Sequence, residues 1–227
     1  MKMMKKAIIA AAVATASVGS FAASAGLTVI GTVTPEACGI TLAAGGAVDF
    51  GALSSATVRG YPVFAGNSYR MPDKTLALDV TCAAPTAVAI NWTDNRAASR
   101  MPVNADDSLR AGLGVSGSSN IGAYQVNFGS VQVTPTTGGT AAAAAGVLVR
   151  AKNTAGAWAA SSGFNGSFFA PTLATGFKQV AADTAPPALV KLTANLLVQA
   201  FVSKTLIDSA TTAVTLDGSS TFNLEYI

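Results

Sequence analysis

The sequence predicts an all-β fold, an antiparallel sandwich or barrel. Two observations carry this: apolar residues alternate with polar ones in short runs along the chain, and clusters of Gly, Ser, Thr, Asn and Pro separate the runs. A third is a single pair of cysteines, each on the apolar side of its run, expected to staple two strands through the core.

In chain order, "MKMMKK" leads into an apolar run over 7–18, and small residues ending in "ASA" follow at 23–25. A basic start, a short apolar stretch and an A-x-A site describe a secretory signal peptide over 1–25, too short to span a bilayer. Cleavage there is expected to leave 202 of the 227 residues, enough for one domain over 26–227. The next run, "LTVIGTV", puts Leu27, Val29, Gly31 and Val33 on one face and is stopped by Pro35.

The same alternation returns in Cys38, Ile40 and Leu42, then in Leu76, Leu78, Val80 and Cys82, and again in Val88, Ile90 and Trp92. It continues through Tyr124, Val126 and Phe128, the "VLV" at 147–149, and Leu196, Val198, Ala200 and Val202, closing on Phe222, Leu224 and Tyr226. Each run implies a strand with one buried face. Two segments are ambiguous. "GGTAAAAAG" reads as a loop or one helical turn, while "ALVKLTANLLVQAF" holds Leu189, Leu192 and Leu196 at helical spacing beside the strand alternation. With β structure all round, a strand is expected from Asn195 onward, and 135–145 and 159–187 are expected as inserted loops.

Charge narrows the function. The formal +3 lies entirely in Lys2, Lys5 and Lys6; without them 11 Lys and Arg face 11 Asp and Glu. A neutral mature chain has no electrostatic case for nucleic acid, and its weak colloidal repulsion favours self-association. Cys38 and Cys82, the only cysteines, both lie in the part expected to be exported, where a lone pair reads as one disulfide. A metal pair would need further ligands, and the chain has no histidine.

That absence also removes the usual general base and the usual triad, so no catalytic residue, metal site or cofactor is expected and the chain is not read as an enzyme. "TDNRAASR" at 93–100 is the densest polar stretch but lacks the oxygen spacing of a calcium loop; a structural turn with an Asp94 to Arg96 pair is expected. "GLG" at 112–114 has neither the rest of a phosphate fingerprint nor a following helix. Asn91 and Asn165 sit in glycosylation sequons of the kind a chain rich in Ser and Thr produces by chance.

An edge strand is a template for another chain and is usually blunted by charge, Pro or a cover. Neither the arm at 26–34 nor the closing "TFNLEYI" is blunted. With this short alternating arm, a cysteine soon after it, a second cysteine ending the next long run, and Tyr226 penultimate, the chain resembles subunits of chaperone-usher fimbriae. More narrowly, "CGITLAAGGAVDFG", "TDNR", "GLG" with "IGAY", and "LDGSSTFNLEY" resemble a bacterial family labelled probable major subunit of beta-fimbriae.

The resemblance implies an immunoglobulin-like antiparallel β-sandwich lacking its last strand and completed by donor-strand exchange. Phe222, Leu224 and Tyr226 would flank an apolar groove, filled first by a periplasmic chaperone and then, at an outer-membrane usher, by Leu27, Val29, Gly31 and Val33 of the neighbouring subunit. It further implies export to the periplasm, then a structural place in a surface fimbria that contributes to adhesion. Typical subunits carry a glycine about fourteen residues from the C-terminus, whereas here Val214 holds that place and Gly218 follows. A hairpin around Asp217 and Gly218 would instead complete the sheet within one chain. That alternative is a self-complete secreted or periplasmic sandwich binding a ligand such as a host or surface glycan, through its loops and Trp92 or Trp158.

Overall fold

The structure is a computed structural model and describes residues 31, 37–104, 107–161 and 169–227. Met1–Thr34 and Pro35–Ile227 fall into separate units, and the elements below all belong to the second. The expected signal peptide, and the arm at 26–34 apart from Gly31, lie outside the described residues.

In chain order the elements are β1 (Cys38–Leu42), α1 (Ser55–Arg59), β2 (Val63–Phe64), β3 (Ser68–Arg70), β4 (Lys74–Thr86) and β5 (Val88–Asp94). Next come β6 (Ala111–Gly112), β7 (Val115–Ser116), β8 (Ser119–Asn120), β9 (Gly122–Thr134), β10 (Ala142–Ala143), β11 (Gly146–Ala151) and β12 (Ala159–Ala160). The last are β13 (Leu173–Lys178), β14 (Leu189–Ser203), α2 (Lys204–Ser209) and β15 (Ser220–Tyr226).

One sheet sets β1, β4, β14 and β9 side by side, with β3 and β2 continuing the β4 side and β6 and β10 on the far side of β9. The other runs β12, β11, β13, β5, β15. All these pairs are antiparallel. In immunoglobulin terms the first sheet reads A-B-E-D and the second holds C and F, with no strand in the place of G among the described residues.

Each long strand buries alternate residues because one face meets the opposite sheet. In β4, Leu76, Leu78, Val80 and Cys82 are buried while Thr75, Ala77, Thr81 and Ala83 are exposed. In β14 the buried set runs through Leu192, Ala194, Leu196, Val198, Ala200 and Val202. This strand begins at Leu189, six residues before the expected start. A register shift between Leu189 and Lys191 resets its phase, which is why Leu189 and Leu192 imitate helical spacing. A second irregularity, where Thr193 faces Gln132 and Asn195 faces Gly129, moves the inward set of β9 from Tyr124, Val126 and Phe128 to Val131 and Val133.

The inserted segments carry more strand than their sequence suggested. The alanine run contributes β10 rather than a helical turn, and 159–187 contributes β12 and β13. β13 pairs with both β11 and β5, so it belongs to the body of the second sheet. The disulfide joins Cys38 and Cys82, directly opposed on β1 and β4, with an S–S distance of 2.02 Å. It therefore ties neighbours within one sheet and does not cross the core between sheets.

Candidate functional site

β15 hydrogen-bonds to β5 along one side, from Ser220 opposite Asp94 to Tyr226 opposite Val88. Its other side has no strand partner among the described residues, and neither has the outer side of β1. Left-handed backbone at Ala44, Gly45 and Gly46 ends β1, and 47–54 then runs on without joining either sheet. Between these two edges the sandwich is open.

A cavity of about 180 Å³ lies in the opening, floored by inward side chains of both sheets, among them Leu76, Trp92, Tyr124 and Val198. Its rims are Val48 and Phe50 on one side and Leu216, Gly218 and Phe222 on the other. A second cavity of about 330 Å³ shares Phe50 and Leu216 with the first and continues to Val58, Ile207 and Val214. Together they form one groove, mainly apolar in its first part, with Ser54, Ser55, Thr211 and Thr212 added in its second. β15 alone offers about 23 Å of open edge at the usual rise per strand residue.

Both ends of the groove are fixed. At one end the Cys38 backbone N–H donates to the Tyr226 hydroxyl at 2.9 Å, beside the disulfide. At the other, α2 is tied to α1 by the Arg59 guanidinium, which donates to the Ile207 carbonyl at 3.0 Å, and to β3 by the Tyr69 hydroxyl, which donates to Asp208 at 2.7 Å. On the floor, the Tyr124 hydroxyl is hydrogen-bonded to that of Ser220. Burial pushes the Tyr124 phenol up to about 12, with the Ser220 bond opposing and the charge of Asp94 adding, so the groove keeps a neutral hydroxyl there.

The outer face of β15 is closed. Glu225 accepts from Arg150 at 2.5 Å, from the Asn91 amide at 3.0 Å and from the Asn153 backbone N–H at 3.1 Å. Burial alone would raise its pKa; the three donated bonds and the Arg150 charge outweigh it and hold the carboxyl below its usual range. Trp158 covers the Arg150 guanidinium at 4.4 Å.

The segments "TDNR", "GLG" and "LDGSS" meet at the groove rim. Asp94 accepts from the backbone N–H of Arg96 at 2.8 Å and of Gly112 at 3.0 Å, while the Arg96 guanidinium reaches Asp217 at 2.8 Å. The expected Asp94 to Arg96 pair is thus a turn bond to the backbone, and the side-chain charge goes to Asp217. A Cβ on Gly112 would fall 2.3 Å from the Arg96 carbonyl oxygen. A Cβ on Gly114, at φ +88°, would stand 2.9 Å from the Asp217 Cβ. These glycines serve close packing, not phosphate.

Of the residues expected at a donor–acceptor site, Phe222 lines the groove, Leu224 packs on the adjoining core, and Tyr226 is 44% exposed with its hydroxyl holding β1. Leu27, Val29 and Val33 are outside the described residues and Gly31 is exposed. No hairpin forms at Asp217 and Gly218; 213–219 has no strand, and Gly218 packs against Tyr124 and Leu113. Trp92 is fully buried and presents no face to a sugar, and Asn91 is buried in β5, unsuited to glycosylation. The rim residues Leu42, Val48, Phe50 and Leu216 were missed as site residues; the alternation of Val48 and Phe50 in "GGAVDFG" was their signal. Among the described residues no group of acidic, Cys or His side chains could hold a metal, and no helix is long and apolar enough to cross a membrane.

Comparison with known proteins gives three findings. Protein GltF of Escherichia coli (strain K12) is 28% identical over 255 aligned positions, covering 98% of this chain and 99% of GltF. A crystal structure of the P pilus rod subunit PapA is 15% identical, covers 84% of this chain and 99% of its own, and has a TM-score of 0.34. Residues 27–133 match the family model described as "Protein of unknown function (DUF1120)".

Proposed function

We propose that this chain is a structural subunit of a bacterial fimbria and that the groove between β1 and β15 accepts an extended strand from a neighbouring copy. One observation carries the reading: an unblunted β15 edge borders an apolar groove that opens on the inner faces of both sheets. The donor is the arm at 26–34, whose Leu27, Val29, Gly31 and Val33 share one face. Its three branched side chains contribute roughly 5–10 kcal/mol on burial, before ordering costs. A head-to-tail contact of this kind does not close on itself and builds a filament. Before assembly, a periplasmic chaperone fills the groove and an outer-membrane usher exchanges it for the arm; the signal at 1–25 supplies the export.

Deleting 26–34 tests this. The deleted protein is expected to stay soluble with a periplasmic chaperone, accept a wild-type arm and donate none. Val29→Asp, which puts a charge on the inward face, behaves like the deletion, while Thr28→Asp assembles normally. Polymer ladders on unheated gels report each case. A wild-type monomer that is stable without chaperone and never forms ladders overturns the proposal.

A further inference from the structure

The groove wall between α2 and β15, residues 210–219, belongs to neither sheet. Its backbone is held near β15 by two bonds, Asp217 N–H to the Leu113 carbonyl at 2.9 Å and Asn95 N–H to the Ser219 carbonyl at 3.0 Å. Side chains of one loop supply the rest. Arg96 grips Asp217 twice, Nη2 to the carboxylate at 2.8 Å and Nε to the backbone carbonyl at 3.3 Å. The Asn95 amide donates to the Ser219 and Thr221 hydroxyls at 3.1 and 2.9 Å. The loop is itself fixed, by Asp94 on Gly112 and by Ser99, whose hydroxyl donates to the Arg96 carbonyl at 2.8 Å and accepts from the Gly114 N–H at 2.9 Å.

Arg96 does not line the groove, but its partner Asp217 stands between Leu216 and Gly218, which do. The pair is half-exposed, and such a pair adds little to global stability. What it fixes is the place of Leu216 and Gly218, and so the width of the groove.

Resting on the strand-acceptor reading, we propose that Arg96 is a positioning residue of the groove: through Asp217 it holds the 216–218 wall where a partner strand seats. Arg96→Ala releases the wall and speeds departure of a bound strand without unfolding the sandwich. Arg96→Lys keeps the charge but cannot make both contacts, and falls between the two.

The test uses the full mature chain and a labelled synthetic peptide of residues 26–34. Dissociation from Arg96→Ala is expected to be about tenfold faster than from wild type, at an unchanged melting temperature. Arg70→Ala, which breaks a comparable surface pair with Asp73, neither residue of which lines the groove, leaves the rate unchanged. Hydrogen exchange on the same variants is expected to quicken over 213–219 and stay constant in β14. Equal dissociation from wild type and Arg96→Ala, or unchanged exchange over 213–219, overturns the role of Arg96 alone. Failure of the peptide to bind the wild type overturns the strand-acceptor reading and the proposal with it.

Discussion

The two flanks of the sandwich are built from the same alternation but packed differently. On the β9–β13 flank, Phe128 lies 4.9 Å from Phe169 and 5.1 Å from Phe177, ring centroid to centroid, and all three are buried. On the β1–β15 flank, Leu42, Val48, Phe50, Leu216 and Phe222 reach the core yet stay only partly covered. Neither composition nor period distinguishes them. The difference is one of pairing: among the described residues no strand lies beside the free side of β15, and a sheet edge without a neighbour leaves its inward residues half in water.

The largest effect that can break this comparison is on the closed flank. Phe128→Ala is expected to destabilise the mature protein by about 3–5 kcal/mol, whereas Phe222→Ala costs about 1–2 kcal/mol while the groove is empty. Urea unfolding measures both. Equal losses would mean that the β15 flank is packed as tightly as the other.

Removing the disulfide comes next. Cys38→Ser together with Cys82→Ser is expected to cost roughly 2–5 kcal/mol, read as a lowered melting temperature that reductant reproduces in the wild type. The loosening should concentrate in β1 and the Tyr226 contact, because β1 is an edge strand. Amide exchange that quickens equally in β9 would contradict the separation of the flanks.

Glu225 gives a smaller, pH-dependent effect on the anchored face of β15. Its folded pKa is depressed, so its contribution is full above the ordinary Glu pKa of about 4.3 and is lost as pH falls through the lower folded value. Relative to wild type, Glu225→Gln is expected to be less stable at neutral pH and to converge on it in acid. A constant gap across that range would show that the carboxylate charge does not hold β15.

Much of this was legible in the sequence. The long strands, the cysteine pair and the partly buried Phe222 follow from period-2 alternation. Three things were not, and each is a matter of tertiary pairing. A register shift at Leu189 produced a helical spacing that no window average could resolve. The polar "TDNR" does form a turn, but the side-chain partner of Arg96 was hidden because it lies 121 residues away. The rim at Val48 and Phe50 looked like loop because its alternation is too short to stand out and finds no strand partner. Local pattern fixes which face is apolar; it does not say which edge is left open.

The smallest expected effect on stability is also the sharpest on the groove. Gly218 has no left-handed backbone to preserve, so Ala is tolerated by the chain, but its Cβ would stand 3.0 Å from Tyr124 Cε1 and 3.2 Å from Leu113 Cδ2. Both neighbours border the cavity and have room to yield, so Gly218→Ala should change stability by less than about 1 kcal/mol. The yielding takes place inside the groove, at the spot a partner side chain would fill. Peptide 26–34 is therefore expected to bind the variant more weakly while its unfolding curve stays close to wild type. A stability loss as large as that of Phe128→Ala would mean that the opening beside Gly218 has no slack, and that the contrast between the flanks is drawn in the wrong place.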